Sequence, residues 1–75
     1  MATEYEVRVA GGRVESWAEW FPGVRVQEGS EPDGSGSTVL RVPGRDVSLL
    51  HGVLAQVGAL NLILLSVTQI QRRAE

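Results

Sequence analysis

The N-terminal half of the chain has the alternating pattern of short β-strands. Across residues 4–9, apolar and charged side chains alternate, which is typical of a strand with one buried and one wet face. Shorter strands are predicted at residues 24–27 and 38–42, the last ending at Pro43 because proline has no amide to donate to a ladder. Between these two strands, residues 28–37 are rich in glycine, serine and acidic side chains, and we predict a flexible hairpin loop there.

From Asp46 the apolar positions change to a helical period. We expect Asp46 to be the N-cap, because its carboxylate accepts from free amides of the first turn. Asn61 is expected just past the last turn, since asparagine tolerates the left-handed conformation. The helix therefore supplies the core with one apolar stripe, which consists of Leu49, Leu50, Val53, Leu54, Val57 and Leu60.

The last predicted strand, residues 62–70, is apolar on both faces in its first half. Alternate side chains of a strand point to opposite faces, and a single helix covers only one face of a sheet. The uncovered set needs another cover, which a second copy of the chain supplies most simply as a symmetric dimer, formed by face-to-face sheets or by edge pairing. The alternative is modest exposure in a monomer. The predicted oligomer interface consists of Ile63, Leu65 and Val67.

Together these elements predict a single small α+β domain over residues 1–75, in the order β-β-β-α-β. We expect two layers, a mostly antiparallel four-stranded sheet with one amphipathic helix packed on one face. The first three strands are expected to form a meander. The polar tail, residues 71–75, is expected to fray.

The composition excludes several kinds of chemistry. All 7 basic residues are arginine, there is no cysteine, and there is 1 histidine. A Schiff-base lysine, a thiolate nucleophile and thiolate or multi-histidine metal sites are therefore impossible. We predict no catalytic residue set, no cofactor and no metal. A net charge of −2 argues against a nucleic-acid partner. The start of the chain lacks the pattern of a leader peptide and no apolar stretch is long enough to span a bilayer, so we expect a cytoplasmic protein without a membrane partner.

Several segments of the chain resemble those of a known group of sequences. The helical run Leu50-His51-Gly52-Val53-Leu54 leads into Leu64-Leu65-Ser66-Val67, and this succession resembles the closing segment of short uncharacterised actinobacterial proteins. The N-terminal run 6–11 and the aromatic run 17–23 are also similar to that group, whereas residues 28–37 are not. Asn61 stands where those relatives usually carry glycine. The resemblance implies a shared small domain, but it does not indicate any particular activity.

A cluster of aromatic residues offers a candidate binding site. Trp17, Trp20 and Phe21 have the spacing of one helical turn, which brings their rings to one side. They either bind a protein partner or a small apolar ligand, or they form a lid that closes the core. The spacing alone leaves both interpretations open.

Charged and titratable residues give weaker signals. His51 lies at the edge of the helical stripe and has no carboxylate one turn away, so a surface position is expected. Arg8, Arg25 and Arg41 occupy the wet faces of the first three strands. They either form cross-strand ion pairs or bind an anion, and the lack of interleaved aromatic side chains favours ion pairs.

The sequence does not identify the function. Binding requires only a shaped apolar surface, whereas catalysis requires convergent polar groups, and here these are scattered. We therefore favour a non-enzymatic homo-oligomeric interaction or small-ligand-binding module. The alternative is a small cofactor-independent enzyme with an acid–base site at a subunit seam.

Overall fold

The computed structural model describes residues 2–11 and 15–72. Six elements follow one another along these residues. They are β1 (Ala2–Ala10), α1 (Glu15–Trp20), β2 (Arg25–Ser30), β3 (Gly36–Pro43), α2 (Val47–Ala59) and β4 (Leu64–Arg72).

The strands form a 4-stranded sheet in the order β2-β3-β1-β4, and every neighbouring pair is antiparallel. The α+β class is confirmed. The predicted meander is wrong, because β1 pairs with β3 and β4 rather than with β2. The short helix α1 was also missing from the predicted order, and it lies in the connection that carries the chain from β1 to the far edge. In each half of the chain a helix joins two strands, and those two strands lie on either side of a strand from the other half. This arrangement is a split βαβ topology.

The two faces of the sheet differ in chemistry. Val7 and Val9 of β1 are buried beside Leu40 and Thr38 of β3, whereas Glu4, Glu6 and Arg8 on the other face of β1 are charged. The buried residues of α1 and α2 belong to the same cluster as those of the strands, so the core lies on the Val7 side of the sheet. This cluster consists of Val7, Val9, Trp17, Val24, Leu40, Val42, Leu50, Val53 and Val57.

Both predicted ends of α2 are confirmed. The Oδ1 atom of Asp46 accepts a hydrogen bond from the amide of Leu49 at 3.0 Å. Asn61 has a φ of 57°, and the amide of Leu62 donates to the carbonyl of Val57 at 3.0 Å. These are the features of a Schellman motif with asparagine in the left-handed position. They fix the point at which the chain turns from α2 into β4.

The predicted loop over residues 28–37 is shorter in the structure. Strand β2 continues to Ser30 and β3 begins at Gly36, so only residues 31–35 connect them. Gly29 allows this pairing, because a Cβ atom there would overlap Ser37 and Val39 of the neighbouring strand. Backbone pairing thus overrides the low strand propensity of glycine and serine. The mobility of this segment stays a prediction.

The C-terminal tail also differs from its prediction in part. Gln71 and Arg72 belong to β4, whose backbone pairs with the start of β1. Residues 73–75 lie outside the described residues.

Candidate functional site

The aromatic cluster divides between the core and the surface. Trp17 is only 3% exposed, and its ring packs edge-on against Trp20 at 5.5 Å and face-on against Phe21 at 6.0 Å. Phe21 is half-buried and lies against Gly52 of α2. Trp20 remains 45% exposed. Trp17 and Phe21 therefore fit the core-lid interpretation, and Trp20 is the member whose ring is available to a partner.

A small apolar cleft lies beside Trp17 at the end of the sheet. Its volume is about 90 Å³. Ligand pockets are typically about 300–1,000 Å³, so this cleft is too small for a drug-sized molecule. It is lined by Val9, Ala10, Gly11, Trp17, Thr38 and Leu62.

The charged face of the sheet is closed by ion pairs that join β1 to β2, to β3 and to the loop between β2 and β3. This confirms the cross-strand interpretation for Arg25 and Arg41, whereas Arg8 pairs with Glu31 of the β2–β3 loop. The Nη atoms lie 2.9 Å from the carboxylate in Arg8–Glu31, 2.7 Å in Arg25–Glu4 and 3.0 Å in Arg41–Glu6. A ligand anion would have to displace these carboxylates.

His51 is exposed on α2, as expected from its position at the edge of the stripe. The carboxylates of Glu4 and Glu6 lie on the face of the sheet opposite the core, because they alternate with Val7 along β1. No acid–base pair therefore joins His51 to these residues. Within residues 2–11 and 15–72, no group of three or more His, Asp or Glu residues is placed to hold a metal ion.

The strongest feature is the apolar surface of β4 and the residue before it. Ile63, Leu64, Leu65 and Val67 are between 40% and 66% exposed. All three residues of the predicted interface are in this set, which we call the β4 apolar patch. Leu64 joins the set although it was not part of the predicted interface.

A β-bulge explains why the simple alternation failed. Arg8 pairs with Ser66 and Val9 pairs with Leu64, so Leu65 is an extra residue without a partner on β1. Beyond the bulge, Val67 lies opposite Val7 and thus on the core side of the sheet. Val67 is nevertheless exposed, because the cover over the core does not extend to this outer strand.

The two edges of the sheet are protected differently. Strand β2 forms one edge and carries the exposed charges of Arg25 and Glu28. Strand β4 forms the other edge, and no residue from Leu62 to Gln71 is charged. Natural proteins usually blunt exposed edges with charges, proline or bulges. Strand β4 has only the bulge, so the second half of its edge is open to another strand.

Comparison with known proteins identifies the family. The model of a domain of unknown function, DUF8691, matches residues 4–68. The chain belongs to this family. The match spans the core and the whole β4 apolar patch, so both are parts of the family domain. Comparisons with curated proteins and with solved structures give no match.

The family agrees with the resemblance to uncharacterised proteins, and it assigns no function. Along residues 2–11 and 15–72, no helix is both long enough and apolar enough to cross a membrane.

Proposed function

We propose that this domain is a non-enzymatic interaction module that works as a homo-oligomer, most simply a dimer. The observation that carries the proposal is the β4 apolar patch, in which Ile63, Leu64, Leu65 and Val67 are all exposed along one edge of the sheet. Monomeric proteins commonly expose single apolar residues, whereas a contiguous set marks an interaction surface. A chain of 75 residues also has a small core, and association adds buried apolar surface.

The other surfaces support this choice. We infer a two-layer arrangement in which α2 covers one face of the sheet and the paired charges of Arg8, Arg25 and Arg41 cover the other. Burying those ion pairs against a partner requires desolvation of every charge, which often exceeds the Coulombic gain. The uncharged edge at β4 carries no such cost.

The alternatives are less well supported. The cleft beside Trp17 is too small for most ligands, and His51 lies on the opposite side of the sheet from Glu4 and Glu6. Trp20 remains a proposed additional contact for a partner protein. A cytoplasmic location stays a prediction.

The substitution Val67→Glu tests the proposal. In the oligomer the new carboxylate would be buried without a partner, which costs about 3–5 kcal/mol. This corresponds to an increase of more than about 100-fold in the dimer Kd. We expect light scattering coupled to size exclusion to give a monomer for the variant at concentrations where the wild type is a dimer.

Val47→Glu is the matched control. Val47 is 48% exposed against 42% for Val67, and it lies on the first turn of α2 rather than on β4. A carboxylate is well tolerated at a helix N-terminus, so this variant should remain a dimer. Equal masses for Val67→Glu and the wild type, with circular dichroism showing both folded, would contradict the proposal.

A further inference from the structure

The β4 edge points to a specific way in which two copies associate, and this inference rests on the proposed function. We infer that the β4 strands of two copies pair through their main chains in antiparallel orientation, with a two-fold axis at Val67. This pairing joins two 4-stranded sheets into one continuous sheet. The partner is therefore a second copy of the chain at its edge, rather than a second copy packed face to face.

The first argument is the unsatisfied backbone of the outer strand. In the described sheet β4 pairs with β1 on one side only. Alternate amides and carbonyls of such a strand point away from the sheet, where another strand completes the ladder. The register with β1 is regular from Ser66 to Arg72, so this half presents an evenly spaced row of donors and acceptors.

The second argument is symmetry combined with charge. In a two-fold antiparallel pair, residues at equal distances on either side of the axis lie opposite each other. An axis at Val67 keeps every charged residue out of the pair from Ile63 to Gln71, because the first charge is Arg72. The regular cross-strand pairs are then Val67 with itself and Ser66 with Thr68, and the regular spacing ends at the bulged residue Leu65.

The third argument is the position of the exposed apolar side chains. An axis at Val67 brings the two Val67 side chains directly opposite each other. Val67 lies on the core side of the sheet, opposite Val7. The pairing thus covers apolar surface on the core side of β4 that the single chain leaves exposed. An axis moved to Thr68 would instead place Val67 opposite the polar Gln69.

The chain contains no cysteine, which makes single-cysteine cross-linking a clean test. In Val67→Cys, the two thiols lie within reach of a disulfide or a short bis-maleimide across the axis. Val47→Cys is the control, because it introduces the same residue at similar exposure on α2. Thiols held together have an effective concentration on the order of millimolar, so at low micromolar protein Val67→Cys should cross-link about tenfold or more above the control.

Hydrogen exchange supplies a readout that needs no substitution. A free edge strand exchanges every second amide rapidly, whereas a strand paired on both sides protects successive amides. We expect successive protection across residues 66–68 in the wild type. The expected result is a dimer with this protection and with preferential cross-linking at position 67.

Two results would overturn the inference, and they differ in what they mean for the proposed function. A dimer with alternating protection in β4, and with no more cross-linking at position 67 than at 47, would reject the edge pairing while leaving self-association intact. A monomer at every concentration would reject both.

Discussion

At the scale of single residues, Gly44 shows how one backbone approach fixes the start of the sheet. Its amide donates to the carbonyl of Thr3 at 2.7 Å, and a Cβ atom at this position would overlap that carbonyl. Overlap with backbone is relieved only by movement of the strand. Gly44→Ala should therefore destabilise the fold by about 1–3 kcal/mol.

Urea unfolding measures this change. Gly36→Ala is the control, because a Cβ atom at Gly36 meets no neighbouring atom within 4 Å. The control should change the free energy of unfolding by less than about 1 kcal/mol. Equal effects of the two substitutions on the free energy of unfolding would show that the backbone at Thr3 moves to accommodate the new Cβ atom without loss of stability.

Asp33 gives a prediction for pH. The hydroxyl of Ser35 donates to its carboxylate at 2.6 Å and the amide of Ser35 donates at 2.9 Å, and together they hold the pKa of Asp33 below its ordinary value. A lowered folded-state pKa means that this carboxylate stabilises the turn above its unfolded pKa of about 3.9, and that the contribution is lost as pH falls through the folded value.

An NMR titration of the Asp33 carboxyl carbon tests this cause. The pKa should lie lower in the wild type than in Ser35→Ala, where the hydroxyl donor is absent. Coincident titration curves would rule out the hydroxyl of Ser35 as the main cause of the shift.

The sequence predicted the role of a single residue correctly where the residue interacts with near neighbours in the chain. Asp46 and Asn61 were placed correctly, because an N-cap and a left-handed C-terminal residue depend on neighbours within one helical turn. The requirement at Gly44 was not readable, since it depends on Thr3 in another strand.

At the scale of elements, α2 contains a correctable weakness. Gly58 is exposed, and a Cβ atom there meets nothing within 4 Å. Glycine in a helix costs about 0.5–1 kcal/mol relative to alanine, so Gly58→Ala should stabilise the protein by about that amount. Gly52→Ala should stabilise the protein by less, because a Cβ atom added at this position would lie 3.4 Å from the ring of Phe21. Thermal or urea unfolding of both variants checks the order, and a larger gain at Gly52 would contradict it.

The elements were largely predictable, whereas their order in the sheet was not. Alternation and helical period located the four strands and α2, because both patterns are local. The aromatic spacing indicated one helical turn at the 6-residue helix α1, but the predicted order did not count this turn as an element. Without it, the direct meander was the simplest connection, and the insertion of β1 between β3 and β4 went unpredicted.

The candidate surface was predicted from composition and then altered by one irregularity. Apolar residues on both sides of the last strand indicated a missing cover, and Ile63, Leu65 and Val67 are exposed. Their assignment to one face assumed unbroken alternation. The bulge opposite Arg8 and Val9 breaks it, and a bulge depends on the partner strand, which the sequence of β4 does not contain.

At the scale of the whole molecule, the surfaces of the sheet differ in charge. The sheet face with Arg8, Arg25 and Arg41 is closed by ion pairs, and the β2 edge is charged. The β4 edge has exposed apolar side chains and no charged residue from Leu62 to Gln71. A second copy covers that edge without bringing like charges together, which is why self-association is the central claim.

Sedimentation equilibrium of the wild type, from about 1 μM to 1 mM, tests this claim most directly, since that range spans dimer free energies of about 4–8 kcal/mol. The account predicts a mass that rises toward twice the chain mass of 8.1 kDa as concentration increases, and that stays near 8.1 kDa for Val67→Glu. A wild-type mass of 8.1 kDa across the whole range would contradict it.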